Sequence, residues 1–216
     1  GYTVERVSTR TMESLWAGYT DFEDAFAMAV HWRGHEFYVL TFDKADTTMG
    51  RTFVFDASTG MWFELGPYEA SISDFSKWPV RAHAFFNGIN IVGDSDGTLH
   101  KLSDTVFTFN GMTMIALRRA PIIHQDRQRM FVHKLQLDLE TGTSTVASGT
   151  GSDPLVMLDI SEDGGRSWKS RTKKIGATGD YTKRVQFHQL GSAYDLVFQV
   201  SISDPVPRKF LAGYVS

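Results

Sequence analysis

Three features of the sequence predict an all-β fold. From Ala25 onward apolar and polar residues alternate with the period of two that sends successive side chains to opposite faces of a sheet. The apolar runs are short, rich in aromatic and β-branched residues, and separated by turn-length inserts carrying Gly, Asn and Asp. A pattern of four such runs also recurs about 55 residues further along the chain.

The elements follow in order. Thr11 to Trp16 has weak helical character. Ala25 to Trp32, the turn Arg33-Gly34, and Glu36 to Phe42 read as a hairpin. Arg51 to Asp56 and Met61 to Leu65 flank Ala57-Ser58-Thr59-Gly60 and bring the count to four strands. The second set runs Arg81 to Phe86, Asn87-Gly88, Ile89 to Asp94, Ser95-Asp96-Gly97, Leu99 to Leu102 and a fourth strand at Val106 to Phe109. Repeated four-stranded antiparallel meanders are the signature of a β-propeller. Residues 1–111 are therefore expected to be two propeller blades, and residues 112–216 a further β region packed on the propeller or completing it. Its strands are expected at Ile115 to Arg119, Met130 to Glu140, Pro154 to Ser161, Trp168 to Arg171, Tyr181 to Gln189, Leu196 to Ser203 and Phe210 to Val215. Thr141 to Ser152, rich in Gly, Ser and Thr, reads as a mobile loop available for assembly contacts.

Bulk properties narrow the function. With 42% hydrophobic and 22% charged residues the chain has the composition of a packed globular protein. A net charge of -3 gives no global attraction to nucleic acid, so any such contact must be local. Without cysteine there is no disulfide, thiolate metal site or Cys nucleophile. No apolar run is long enough to cross a bilayer, and no membrane partner is expected. The start at Gly1-Tyr2-Thr3-Val4, lacking Met, predicts a piece of a longer polypeptide.

One local motif is specific. Ser161-Glu162-Asp163-Gly164-Gly165-Arg166-Ser167-Trp168 fits the Asp box, S-x-D-x-G-x-[ST]-W, at Ser161, Asp163, Gly165, Ser167 and Trp168. Asp163 and Ser161 can bind the turn backbone, Gly165 can take the left-handed conformation, and Trp168 can cover the base of the hairpin. These are structural roles. The Asp box is familiar from sialidases, which gives a second reading as a carbohydrate-binding or glycoside-hydrolysing propeller. That chemistry needs an arginine cluster and a Tyr–Glu nucleophile pair, and adjacent Arg118 and Arg119 point to opposite faces of a strand.

Other candidates have plainer readings. His31 and His35 flank a turn and could share a metal, yet no carboxylate stands at ligand spacing. Asp94, Asp96 and Gly97 resemble the start of a calcium loop, but the position for its closing Glu is Thr105. Arg118, Arg119, Arg127 and Arg129 with His124 form a basic stretch, read as an exposed connection or subunit interface before a local DNA contact. Phe37, Phe53, Phe55, Phe85 and Phe107 alternate along strands as core or inter-blade packing. No catalytic residue, metal or cofactor is expected.

The C-terminal half carries a recognisable string. Phe131 to Gly142, Gly151-Ser152-Asp153-Pro154 with Val156-Met157-Leu158, the Asp box, Gly176, Gly179, Tyr181, Arg184-Val185, Leu190-Gly191, Asp195, Val197-Phe198 and Ser203-Asp204-Pro205-Val206 together resemble the packaged-DNA stabilisation proteins of P22-like short-tailed bacteriophages. These are tail hub or nozzle subunits, and Glu5-Arg6-Val7-Ser8-Thr9 extends the likeness toward the start. Gln186-Phe187-His188-Gln189 and Ala193-Tyr194 depart from the basic residues usual there. The resemblance implies the C-terminal part of a virion protein made in the bacterial host cytoplasm and assembled as a homo-oligomeric, six-fold ring. Its partners would be the portal adaptor, the tail needle and tail fibre or spike proteins, with a local DNA contact in the channel, and its task the retention of packaged DNA.

Overall fold

Turn chemistry sets the first elements. In the structure, a computed structural model, residues 3–44, 50–69, 71, 74–126, 128–144 and 148–216 are described. Arg33 and Gly34 both have positive φ, 55° and 82°, the mirror-image turn whose twist suits a two-residue hairpin. It joins β1 (Phe26–Trp32) to β2 (His35–Phe42) with Trp32 opposite His35 and Val30 opposite Phe37. β3 (Arg51–Asp56) and β4 (Met61–Glu64) complete a four-stranded antiparallel meander in the order β1-β2-β3-β4.

The helical segment is real and starts one residue earlier than the sequence indicates. α1 (Arg10–Trp16) is capped by Thr9, whose side chain accepts from the Met12 N–H at 3.4 Å. It is held by packing more than by propensity: Trp16 lies 5.8 Å, ring to ring, from each of Phe42, Phe53 and Trp62. After the short ribbon β5 (Tyr68–Glu69) with β6 (Asp74–Phe75) comes a second meander, β7 (Val80–Phe86), β8 (Ile89–Asp94) and β9 (Leu99–Lys101). Asn90 in β8 is buried and donates to the His31 carbonyl at 3.1 Å, a polar tie between the two meanders.

This second meander has three strands, where the sequence indicates four. The reason is Asn110-Gly111, with φ of 45° and 81°. That turn folds β10 (Thr108–Phe109) back on β11 (Met112–Thr113) instead of letting it pair with β9. The boundary shifts accordingly: the chain divides into two compact units, residues 1–104 and 105–216, against the expected 1–111 and 112–216. Arg208 fixes the ribbon within the second unit, donating to the carbonyl oxygens of Phe107 at 2.7 Å and Met114 at 2.6 Å.

The second unit is built from two sheets. β12 (Ala116–Arg119), β17 (Val197–Ile202), β14 (Leu155–Ser161) and β15 (Lys169–Lys174) form one, in the order β12-β17-β14-β15. β16 (Val185–Ala193), β13 (Met130–Leu139) and β18 (Phe210–Val215) form the other, in the order β16-β13-β18. All neighbours are antiparallel. One continuous core joins them: Val156, Leu158, Ile160, Phe198, Val200 and Ile202 from the first sheet meet Leu135, Leu137, Val185 and Phe187 from the second. Two antiparallel sheets sharing a core make a β-sandwich. Each fully buried Leu or Phe in it stabilises the unit by about 1.5–3 kcal/mol.

Two further expectations are corrected. The last long strand starts at Val185, not Tyr181, because Thr141 Oγ1 donates to the Tyr181 carbonyl at 3.1 Å and holds that segment in a turn. Thr141 to Ser152 is not loose at its ends: Thr141, Gly142, Ser144 and Gly151 are buried. Gly142 packs so closely that a Cβ there would lie 2.8 Å from the Asp180 carbonyl carbon, and its φ is 72°. Its small residues serve close backbone approach; residues 145–147 lie outside the described ones.

Candidate functional site

The Ser161–Trp168 turn connects β14 to β15, whose register puts Ile160 opposite Lys169. Ser161 is fully buried at the end of β14, and its hydroxyl donates to Asp163 Oδ1 at 2.7 Å while accepting the Gly165 N–H at 2.7 Å. Asp163 accepts the N–H groups of Arg166 and Ser167, each at 2.9 Å, and the Ser167 hydroxyl at 2.6 Å. Gly165 has φ 101°, a conformation that L side chains rarely take. Trp168 is half-buried, with the Arg119 guanidinium 5.0 Å from its ring centroid. The structure thus brings Ser161, Asp163, Gly165, Ser167 and Trp168 into one turn.

The electrostatics match a carboxylate that stays ionised. The Ser167 hydroxyl and N–H, then the Ser161 hydroxyl, hold the Asp163 carboxyl well below the usual carboxylate range, with the Arg166 N–H adding to them. A group so firmly deprotonated and so fully used as an acceptor has no proton to give at neutral pH. The arrangement shapes backbone.

A polar row crosses the outer face of the four-stranded sheet beside this turn. Arg119 donates twice to Gln199 Oε1 at 2.9 and 2.7 Å, Gln199 donates to Asp159 at 3.2 Å, and Ser170 donates to Asp159 at 2.5 Å. These four residues stand opposite one another in register across β12, β17, β14 and β15. The alternation of β14 puts Asp159 outside, but which residues face it depends on strand pairing, which the sequence does not display.

The remaining candidates do not converge. Trp32 stands opposite His35, so His31, one residue away, projects from the other face of the sheet. His35 instead bonds the buried Asp56 at 2.8 Å, while His31 lies 4.0 Å from Glu36. Asp96 accepts the Thr98 N–H at 2.8 Å and Asp94 accepts the Ser95 hydroxyl at 3.1 Å, which makes that segment a self-contained turn. Among the described residues no group of three or more His, Asp or Glu could hold a metal ion. Arg118 shares a row with Val200 while Arg119 faces Gln199, so the two arginines diverge; Arg127 lies outside the described residues. Of the aromatic residues, Phe53 is buried and Phe37, Phe55 and Phe107 are half-buried. Phe85 is 65% exposed, contrary to the core expectation, because it sits at the open tip of the β7–β8 hairpin beside Phe86.

No curated protein matches the chain. A solved structure titled "Glycoside hydrolase" is similar over 88% of this chain and 59% of its own, with 11% identity and a TM-score of 0.26. A score that low carries no argument for fold or for hydrolysis, and the chain spans 59% of the length of that structure. A family model described as "Bacteriophage P22 Gp10, beta-sandwich" matches residues 116–216. Those residues are the strands β12 to β18, the sandwich itself. The β-sandwich of residues 116–216 is thus similar to that of bacteriophage P22 Gp10, the tail hub and DNA-stabilisation protein of that phage, over somewhat less than half of the chain.

Proposed function

We propose that the chain forms part of a closed tail hub that seals the portal channel and retains packaged DNA, as a homo-oligomeric ring of six copies. Its neighbours in this reading are the portal adaptor, the tail needle and the tail fibres or spikes, with packaged DNA on the channel side. The observation that carries it is the match of residues 116–216 to the P22 Gp10 β-sandwich model. Rigid construction supports it, since a seal needs stiffness, and the sandwich combines a continuous apolar core with a bonded turn at Ser161–Ser167.

The first unit is proposed to supply propeller blades, on the strength of its consecutive antiparallel meanders β1-β2-β3-β4 and β7-β8-β9. The residues Ser161, Asp163, Gly165, Ser167 and Trp168 are proposed to act as an Asp box in the structural sense, fixing one hairpin. Exposed apolar side chains at Phe86, Phe131 and Leu211 are suited to subunit contacts. Mass photometry of the purified full chain, alone and with the adaptor, tests the reading. A discrete species of six copies, with adaptor present, is expected; a monomer under every condition would contradict it.

A further inference from the structure

Charge is unevenly divided along the chain. Residues 1–104 carry 8 Lys and Arg against 15 Asp and Glu, whereas residues 105–216 carry 14 against 10. Half of the latter cations fall in the segment 166–184, namely Arg166, Lys169, Arg171, Lys173, Lys174, Lys183 and Arg184, where Asp180 is the one acid. A net-acidic protein with a dense basic strip has the electrostatic footprint of a local polyanion contact.

The structure spreads these cations over β15 and the connection that follows it. β15 is an edge strand, paired with β14 alone, and all six of its residues, Lys-Ser-Arg-Thr-Lys-Lys, are exposed. Alternation along the strand sends Lys169, Arg171 and Lys173 to one side and Lys174 to the other. Part of the strip is pinned in place. Lys169 bonds Glu162 at 2.9 Å, Lys174 bonds Asp153 at 2.5 Å, and Arg171 donates to the carbonyl oxygens of His188 and Gln189 at 2.6 and 2.9 Å. The charge of Lys183 also helps hold the Asp153 carboxyl below its usual range, after the hydrogen bond and charge of Lys174. Arg166, Lys173 and Arg184 are exposed, and none has an acidic partner among the described residues.

We propose that the β15 edge, with Arg166 and Arg184, binds the phosphate backbone of duplex DNA. A protein partner is the poorer fit, because interface cores are depleted in Lys and built around apolar or aromatic anchors, and β15 presents no apolar side chain. Phosphate oxygens are contacted by Arg, Lys, Ser and Thr, the residue types of which β15 is made. The contact reads charge and not sequence. It rests on the tail reading for the identity of the polyanion, and on the charge distribution for the surface.

The test is fluorescence anisotropy of a short labelled DNA duplex with the full chain over a salt series. For about three phosphates neutralised, by Arg166, Lys173 and Arg184, the slope of log affinity against log salt is expected to be about -2.7. The double variant Lys173→Glu, Arg184→Glu should flatten that slope by about 2 and weaken binding at least about tenfold at about 50 mM salt. Lys101→Glu with Arg10→Glu, exposed cations of the first unit, should leave binding unchanged. Should the reversal variant melt early, Lys173→Gln with Arg184→Gln gives the same slope comparison. Wild-type protein that does not bind DNA, a double variant that binds as wild type does, or one that loses self-association while keeping DNA would each overturn the proposal. Incorporation of the double variant into tails reports on the tail reading separately: normal assembly leaves that reading standing whatever the DNA result.

Discussion

Ser161 shows how much one hydroxyl can determine. Fully buried at the end of β14, it both donates to Asp163 and accepts from the Gly165 N–H. Replacing it with Ala leaves that N–H without its acceptor, so Ser161→Ala is expected to destabilise the second unit by about 1–2 kcal/mol, read as a lower thermal midpoint. Asp163 adds a pH dependence. Its folded-state carboxyl titrates below its unfolded value, so the unfolded chain takes up the proton first as pH falls. Its contribution is complete above the ordinary Asp value near about pH 4 and is lost as pH drops through the folded value. The stability gap between wild type and Asp163→Asn is therefore expected to be largest at neutral pH and to narrow in acid, measured by urea unfolding at several pH values. A gap independent of pH would show that the charge of Asp163 is not what the turn uses.

At the scale of elements, Arg208 is the residue that assigns the β10–β11 ribbon to its unit. Its half-buried guanidinium serves three carbonyls, those of Val206, Phe107 and Met114, and burial pushes its pKa down from the ordinary value. Arg208→Ala is expected to cost about 1–3 kcal/mol and to speed protease cleavage between Asp104 and Met114; Arg208→Lys should rescue only part, since an ammonium lacks the planar fork. Such long-range ties are what the sequence conceals. Period-two alternation located most strands within a few residues, as at Met130 to Glu140 for β13. Asn87-Gly88 was read as a hairpin turn, and the same dipeptide at Asn110-Gly111 carries the same signal, which would have placed β10 with β11 and moved the boundary. The partners of Asp159, by contrast, sit at Gln199 and Ser170, fixed by strand register that no local pattern reveals. Thr141 to Ser152 looked mobile because Gly, Ser and Thr suit loops, yet the same small residues suit tight packing, as at Gly142.

For the molecule as a whole, a sandwich with one shared core predicts cooperative loss of the second unit. Leu158 is fully buried between the two sheets, and Leu158→Ala is expected to destabilise that unit by about 2–5 kcal/mol. Circular dichroism melts should show one transition of the wild-type protein moving down while any transition of residues 1–104 stays in place. On the proposed tail-hub reading, retention of a genome depends on stiffness and closure. The DNA content of phage particles assembled without this protein tests that most directly. Particles that fill normally and then lose their DNA, with loss prevented when the protein is added back, are what the account predicts. Particles that keep their genomes for as long without the protein as with it would contradict it.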